Sequence, residues 1–341
     1  MDIKDIEKTG IASLNIEDEN LEKPIRPKTL SEFTSEGLGQ VGAVENLSIL
    51  VSAAKQRLSP IDHVLFYGPP GLGKTTLAHT LGNEMGVSVR VTSGAAITKV
   101  GDLAAILSNL GENDILFVDE IHRLSKPVEE VLYPAMEDFA LDIVIGKGPS
   151  ARTIRLDLPK FTLIGATTRL GMLSNPLRDR FGMTLRLEYY SNEELERIIL
   201  RASKLFGIDV NAEVINEIGK RSRGTPRIAI KLLKRVRDFG EVKNKGVFEK
   251  GVAIQALDLA GIDDNGLDNE DKRYLKTIIE KFGGGPVGIK TISAAISEDV
   301  ETIEDVVEPY LIQIGFIKRT AQGRQTTPKA LEYFDMSNKM F

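Results

Sequence analysis

The sequence predicts an α/β fold with a parallel sheet, followed by a small all-helical domain and a C-terminal winged-helix domain. Three observations predict it. First, the apolar runs HVLFYG (63–68), VRVTSG (89–94), DILFVDE (114–120), FTLIGATT (161–168) and TLRLEYY (184–190) alternate with stretches of helical length. Nearly continuous apolar strands belong to sheets covered on both faces, and strand–helix alternation makes such sheets parallel. Second, the text turns helical after Tyr190. SNEELERIILRASKLFGI opens with Ser191 and Glu194 in capping-box spacing, and Leu195, Ile198, Ile199, Ala202, Leu205 and Phe206 fall on one helical face. Further helical segments follow near 211–223 and 225–239. Third, helices near 268–282, 290–297 and 301–314 precede FIKRT and RQTTP, which flank AQG as a hairpin would. Three helices and a hairpin make a winged helix.

These boundaries give a polar, acid-rich and disordered tail (1–24), a large domain (25–190), a small helical domain (191–261), and a linker with the winged-helix head (262–341). IDDNGLDNED (262–271) is the linker, being turn-rich and acidic. A chain of 341 residues suits two or three domains, and 42% hydrophobic with 27% charged residues is ordinary for a globular protein. A net charge of −5 excludes a uniformly basic nucleic-acid coat but permits a local basic patch. The absence of cysteine excludes disulfides and thiolate metal sites and fits a reducing compartment. His63, His79 and His122 are too scattered for a metal site. No apolar run approaches the ~20 residues a membrane span needs, and the N-terminus lacks the order of a signal peptide. The chain therefore reads as cytoplasmic, without a membrane partner. It shows no internal repeat and no low-complexity tract.

The strongest local signal is GPPGLGKT (68–75), which follows an apolar strand and precedes a helical stretch. It matches G-x-x-x-x-G-K-[ST] in full. Gly71 and Gly73 let the backbone curl so that successive N–H groups point at phosphate oxygens, and the helix N-terminus favours an anion. Lys74 supplies a point charge for the β- and γ-phosphates, and Thr75 offers a hydroxyl to Mg²⁺. The expected cofactors are thus ATP or ADP with Mg²⁺. ILFVDEIHRL (115–124) ends a strand in Asp119 and Glu120, at the crevice where an open α/β sheet binds its ligand. Asp119 suits the metal and Glu120 the orientation of an attacking water. GATTR (165–169) ends the next strand, and Thr168, preferred to Thr167, is placed to meet the γ-phosphate or the water. A threonine capping a turn competes with that reading.

Three further stretches carry chemistry. In NPLRDRFG (175–182) either Arg178 or Arg180 serves a surface ion network or a charge elsewhere. In ALDIVIGKGPSARTIRLDLP (140–159) two alternating runs around a turn form a hairpin, with Leu141, Ile143 and Ile145 on one face. That face packs on its own domain or docks a partner. Between Glu308 and Glu332 there is no acid, while Lys318, Arg319, Arg324 and Lys329 form a basic strip suited to phosphates.

GPPGLGKTTLA, VDEIHRL, LYPAMEDF, FTLIGATTR, NPLRDRFG and GTPRIA occur in this order. Together they resemble the RuvB family of AAA+ P-loop ATPases, the motors of Holliday-junction branch migration. The resemblance runs from about Ile25 to about Pro328. Its specific part is LYPAMEDFALDIVIG with IEDVVEPYLIQIGFIKRT, since the phosphate loop alone names only a superfamily. FTSEGLGQVGA (33–43) is longer than the family's usual approach to this domain.

The resemblance implies a large ATPase domain, a helical lid and a winged-helix head. It implies a homohexameric ring on double-stranded DNA, with two rings flanking a four-way junction bound by RuvA and with RuvC as an indirect partner in the resolving complex. It places Ile25 and Arg26 on the adenine side. Gly71, Lys74, Thr75, Thr76, Glu137, Asp138, Phe139 and Tyr190 fall near the nucleotide, and Arg227 is the lid arginine that senses it. It makes Arg180 an arginine finger supplied to a neighbour, with Arg178 supporting it through a nearby acid. It makes Arg319 and Arg324 DNA contacts and the 140–159 hairpin the dock for RuvA. A nucleotide-switched, clamp-loader-like ATPase that binds DNA without moving along it shares every catalytic motif. A protein unfoldase is disfavoured by the basic winged-helix end.

Overall fold

The computed structural model describes residues 25–145 and 152–334. The tail expected over 1–24 and the turn of the 140–159 hairpin lie outside the described residues. By packing, the chain divides into one unit of residues up to 208 with 225–227, and a second of 209–224 with 228 onward.

The first unit is built on five parallel strands in the order β2-β3-β6-β1-β7: β1 Val64–Tyr67, β2 Val89–Ser93, β3 Ile115–Asp119, β6 Thr162–Thr167 and β7 Met183–Arg186. The central strands are apolar and buried along their length, whereas edge strand β7 alternates half-buried and exposed positions. That contrast follows from helices covering both faces of the middle of the sheet. The last run ends as a strand at Arg186, so EYY lies beyond it. Helices α1 (Leu30–Ser35), α2 (Val41–Arg57), α3 (Lys74–Met85), α4 (Val100–Ser108) and α5 (Lys126–Glu137) surround the sheet. The 33–43 stretch resolves into the end of α1, a short connection and the start of α2. Apolar positions of α5 (Val128, Leu132, Ala135 and Met136) join Leu116, Val118 and Leu163 in the core.

The expected hairpin is present, with β4 (Ala140–Ile145) antiparallel to β5 (Arg152–Asp157). Leu141, however, is fully buried in the main core. It serves its own domain and is not part of a docking face, because the hairpin's root is continuous with α5. The exposed apolar positions described here are Ile154 and Leu156. Side chains at 143–153, including those of Ile143 and Ile145, lie outside the described residues.

After a one-turn helix α6 (Asn175–Arg178), α7 (Asn192–Phe206) begins with the expected capping box of Ser191 and Glu194. Arg201 of α7 donates to Ile25 O and pairs with Glu32 and Glu36, which ties this helix to the first unit. The packing division falls at 208.

In the second unit, α8 (Ala212–Arg221), α9 (Pro226–Lys243) and α10 (Lys250–Leu259) precede the head helices α11 (Asn269–Phe282) and α12 (Ile289–Ile296). A helix over 300–313 with a wide π turn at Ile303–Val307, the hairpin β8 (Ile317–Thr320) and β9 (Gly323–Thr326), and Pro328–Tyr333 complete the winged helix. Its core holds Leu267, Tyr274, Ile278, Ile292, Ile303 and Leu311. The acidic stretch 262–271 is pinned at several points. Arg221, 1% exposed, reaches Glu217, Asp258, Ile262 O and Asp264, and Arg223 reaches Gly266 O, Asp268 and Asp271. Three of the stretch's acids, Asp264, Asp268 and Asp271, are held by these two guanidinium groups, while Asp263 pairs with Lys272 and Glu270 with Arg273.

Candidate nucleotide site

The carboxyl ends of the three central strands carry the motif residues side by side. β1 leads into the phosphate loop, β3 ends at Asp119, and β6 between them ends at Thr167. Gly68 N–H donates to Thr167 O at 3.2 Å, which joins loop and strand. Gly71 and Gly73 take φ of +79° and +94°, the left-handed region that other residues enter at a cost. This curl delivers the chain into α3 with its amino terminus facing the loop.

Lys74 is 7% exposed, and its ammonium donates to Gly68 O at 2.8 Å and Pro69 O at 2.9 Å. Burial lowers its pKa, and the charges of Asp119 and Glu120 partly counter that shift. A buried ammonium resting on two carbonyls of a concave loop is a cation prepared to exchange weak acceptors for anionic oxygens. Glu120 holds a left-handed backbone at φ +47°, and its Oε2 accepts from Thr168 Oγ1 at 3.3 Å. Thr167, the rejected alternative, is fully buried and accepts from Arg169 N–H.

Tyr190 and Arg227 stand against the same loop. Tyr190 is buried with its hydroxyl donating to Leu72 O at 3.1 Å, and burial raises its pKa. A side chain added at Gly71 would stand 3.2 Å from Arg227 Cβ, so the lid arginine's helix begins against the loop. Ile25 and Arg26 lead into a segment strapped to α3, where Thr80 Oγ1 donates to Pro27 O and Asn83 to Lys28 O. Thr75 and Thr76 follow Lys74 in the first turn of α3.

Glu137, Asp138 and Phe139 stand away from the chain's own phosphate loop. Phe139 packs on His63 and Phe161, whose ring centroids lie 6.4 and 5.9 Å away. Those residues precede β1 and β6, so the cluster sits at the amino ends of the strands. Four residues of strand, about 13 Å, separate that end from the phosphate loop. Asp138 pairs there with Arg155 at 2.9 Å. His63 accepts from Leu163 N–H through Nδ1 and donates through Nε2 to Met136 O, and burial lowers its pKa.

Arg180 is at this same end. It donates to Pro176 O at 2.7 Å, pairs with Glu137 at 3.2 Å, and lies over the Tyr133 ring at 4.3 Å. Its Nε is buried with no partner among the described residues. Arg178 bonds Asn175 Oδ1 and meets no acid among the described residues, so the expected support through an ion pair is corrected. Tyr133 was missed from the sequence, although it lies in LYPAMEDF. Its signal is the three-residue helical step to Met136 and four-residue step to Glu137, which no local motif connects to Arg180.

In the head, Arg324 is not a free cation. It donates to Glu308 and Glu304, and its side chain is 14% exposed. Glu308 is fully buried and also accepts from Tyr274 and Arg319. The expectation that Arg324 faces phosphate is thus corrected, because a buried carboxylate needs its charge. Arg319 is half-exposed and shares Glu308 through one side of its guanidinium. The strip contains no acid in sequence, but Glu308 folds beneath it.

Among the described residues, no helix is long and apolar enough to cross a membrane. Family models match almost the whole described chain. The Holliday junction DNA helicase RuvB P-loop domain covers 25–187, the RuvB AAA lid domain 190–263, and the RuvB C-terminal winged helix domain 264–335. Among solved structures, the Thermotoga maritima RuvB Holliday junction branch migration motor is 46% identical, with a TM-score of 0.83 over 91% of this chain and 98% of that one. Two single-substitution variants of the same protein match at 47% identity over the same shares, with TM-scores of 0.83 and 0.84. With this phosphate loop, lid and winged-helix head, the chain belongs to the RuvB family of P-loop ATPase motors that act on Holliday junctions.

Proposed function

We propose that the chain is one subunit of a homohexameric, ATP-driven motor that draws duplex DNA through a ring and migrates junctions with RuvA. The observation that carries this is the separation of the two halves of the site. Lys74, Asp119, Glu120 and Thr168 stand at the carboxyl ends of the strands, and Arg180 with Glu137 stands at the amino ends. A finger at that distance serves another subunit's nucleotide, and its buried, unpartnered Nε leaves bonding capacity for one. Glu137, Asp138 and Phe139 would then border the neighbour's ATP.

Within one site, Lys74 holds the β- and γ-phosphates of the substrate, with Thr76 behind it. Tyr190, Ile25 and Arg26 enclose the base side, and Arg227 closes over the loop. Glu120 orients and polarises the water, and Thr168 fixes that carboxylate. The hydroxyl of Thr75 and the carboxylate of Asp119 are hard oxygen donors that fit Mg²⁺, which would supply charge neutralisation at the phosphates. Arg180 from the neighbour meets the charge that develops on the transferred group, a contribution of about 10³–10⁵ in rate. The domain roles are a large ATPase domain to 190, a lid over 191–261 and a DNA-binding head beyond. Arg319 contacts duplex phosphates, the 140–159 hairpin docks RuvA through its exposed Ile154 and Leu156, and RuvC acts through the junction complex.

The test is complementation. Neither Lys74→Ala nor Arg180→Ala chains alone should hydrolyse ATP on DNA, while a mixture should regain activity. A mixture that stays inert under conditions where rings assemble sinks the shared-site reading.

A further inference from the structure

The imidazole of His122 touches both polar ends of the hydrolysis machinery. His122 lies two residues beyond Glu120 and its side chain is 3% exposed. Its Nδ1 stands 2.9 Å from Thr167 Oγ1 and 3.2 Å from Glu120 Oε2. An ionised carboxylate only accepts hydrogen bonds. A bare Nδ1 lone pair facing that carboxylate oxygen would be repelled, so Glu120 favours the proton on Nδ1. Thr167 Oγ1 already accepts Arg169 N–H at 3.0 Å and has a second lone pair for Nδ1–H. Nδ1 thus bonds Thr167 at the end of β6 and faces the carboxylate after β3.

Thr168 and His122 approach the same oxygen of Glu120. Thr168 Oγ1 donates to Oε2 at 3.3 Å, and His122 Nδ1 approaches the same Oε2. Among the described residues no side-chain donor reaches Oε1. Glu120 sits in the left-handed region at φ +47°, so its backbone does not by itself favour this orientation.

We propose that His122 is a positioning residue for ATP hydrolysis: its Nδ1–H, anchored on Thr167, holds Glu120 Oε2 so that Oε1 faces the water. The ring does not touch substrate. It carries the state of the β6 terminus to the carboxylate beside it, and it rests on the assignment of Glu120 as the water-orienting group.

Side-chain isosteres test it. His122→Asn presents an amide donor near the position of Nδ1, whereas His122→Gln presents its donor near Nε2. In assembled, DNA-bound protein, steady-state ATPase kinetics should show His122→Asn within about 3-fold of the parent kcat. His122→Gln and His122→Leu should lose roughly 10-fold or more, with KM for ATP and ADP affinity little changed, because only orientation is lost. Equal kcat for Asn and Gln variants, or a loss carried by KM, overturns the proposal. The two amides are similar in polarity, so the comparison survives if the Leu variant fails to fold. Glu120→Gln is run alongside. Normal hydrolysis by Glu120→Gln would sink the assignment of Glu120. Loss in that variant with parent-like His122 variants sinks the positioning role alone.

Discussion

At the residue scale, one carboxylate decides how the basic strip of the head behaves. Glu308 has no exposure, and its charge survives because Arg324, Tyr274 and Arg319 hydrogen-bond it. Burial alone would raise its pKa, but those donors hold it below the ordinary glutamate range. A depressed folded pKa gives stability that is present above the unfolded value and lost as pH falls through the folded one. The head should therefore melt earlier as acid approaches and passes that lower pKa, and Glu308→Gln should flatten the response in thermal melts. Arg324→Ala leaves Glu308 buried and undercompensated, a defect of about 3–5 kcal/mol. It should lower the head's melting temperature before it tells anything about DNA. Arg319→Ala should instead weaken duplex binding uniformly across sequences and reduce the salt slope, as titrations at several ionic strengths would show. Unchanged binding at low salt would remove Arg319 from the interface.

At the element scale, the contrast between legible and hidden features has a physical basis. The phosphate loop, the capping box of α7 and the wing hairpin were legible because each is specified within a few residues by backbone geometry or periodicity. Leu141 was misread because alternation shows which residues share a face, not what that face meets. Arg324 was misread because Glu308 comes from a helix 16 residues earlier, and no spacing rule links the two. The ion pairs of the acidic linker were hidden for the same reason: Arg221 and Arg223, which hold Asp264, Asp268 and Asp271, come from the end of α8. At that junction Asp271 carries a pH dependence of opposite sign to that of Glu308, while Asp268 beside it is lowered. Burial pushes Asp271 up to about 7, against the opposing charge of Arg223. A carboxyl raised in the folded state favours folding at low pH, and that contribution is lost as pH rises from the unfolded value towards 7. Asp271→Asn should remove that slope from the stability of the second unit. A slope that persists in the Asn variant would assign it to another group.

At the scale of the whole molecule, the parallel sheet separates tasks that a single site must unite. Strands running one way put phosphate loop, Asp119 and Thr168 at one end and the Glu137–Arg180 pair at the other. Each chain, under the proposed sharing, is a receiver at one end and a donor at the other. Arg180→Ala should leave ADP affinity of isolated chains near the parent value while depressing hydrolysis in assembled rings by about 10³-fold or more. Equilibrium nucleotide binding and ATPase rates on the same preparation check both halves. A fall in ADP affinity of isolated Arg180→Ala chains would mean that the arginine acts within its own subunit.

That polarity has a consequence for dosage. A lesion at Lys74 is felt where it occurs, whereas one at Arg180 is felt next door. A chain carrying both lesions would therefore silence its own position and its neighbour's. Mixed into normal rings at low proportion, it should act as a steeper poison than either single variant.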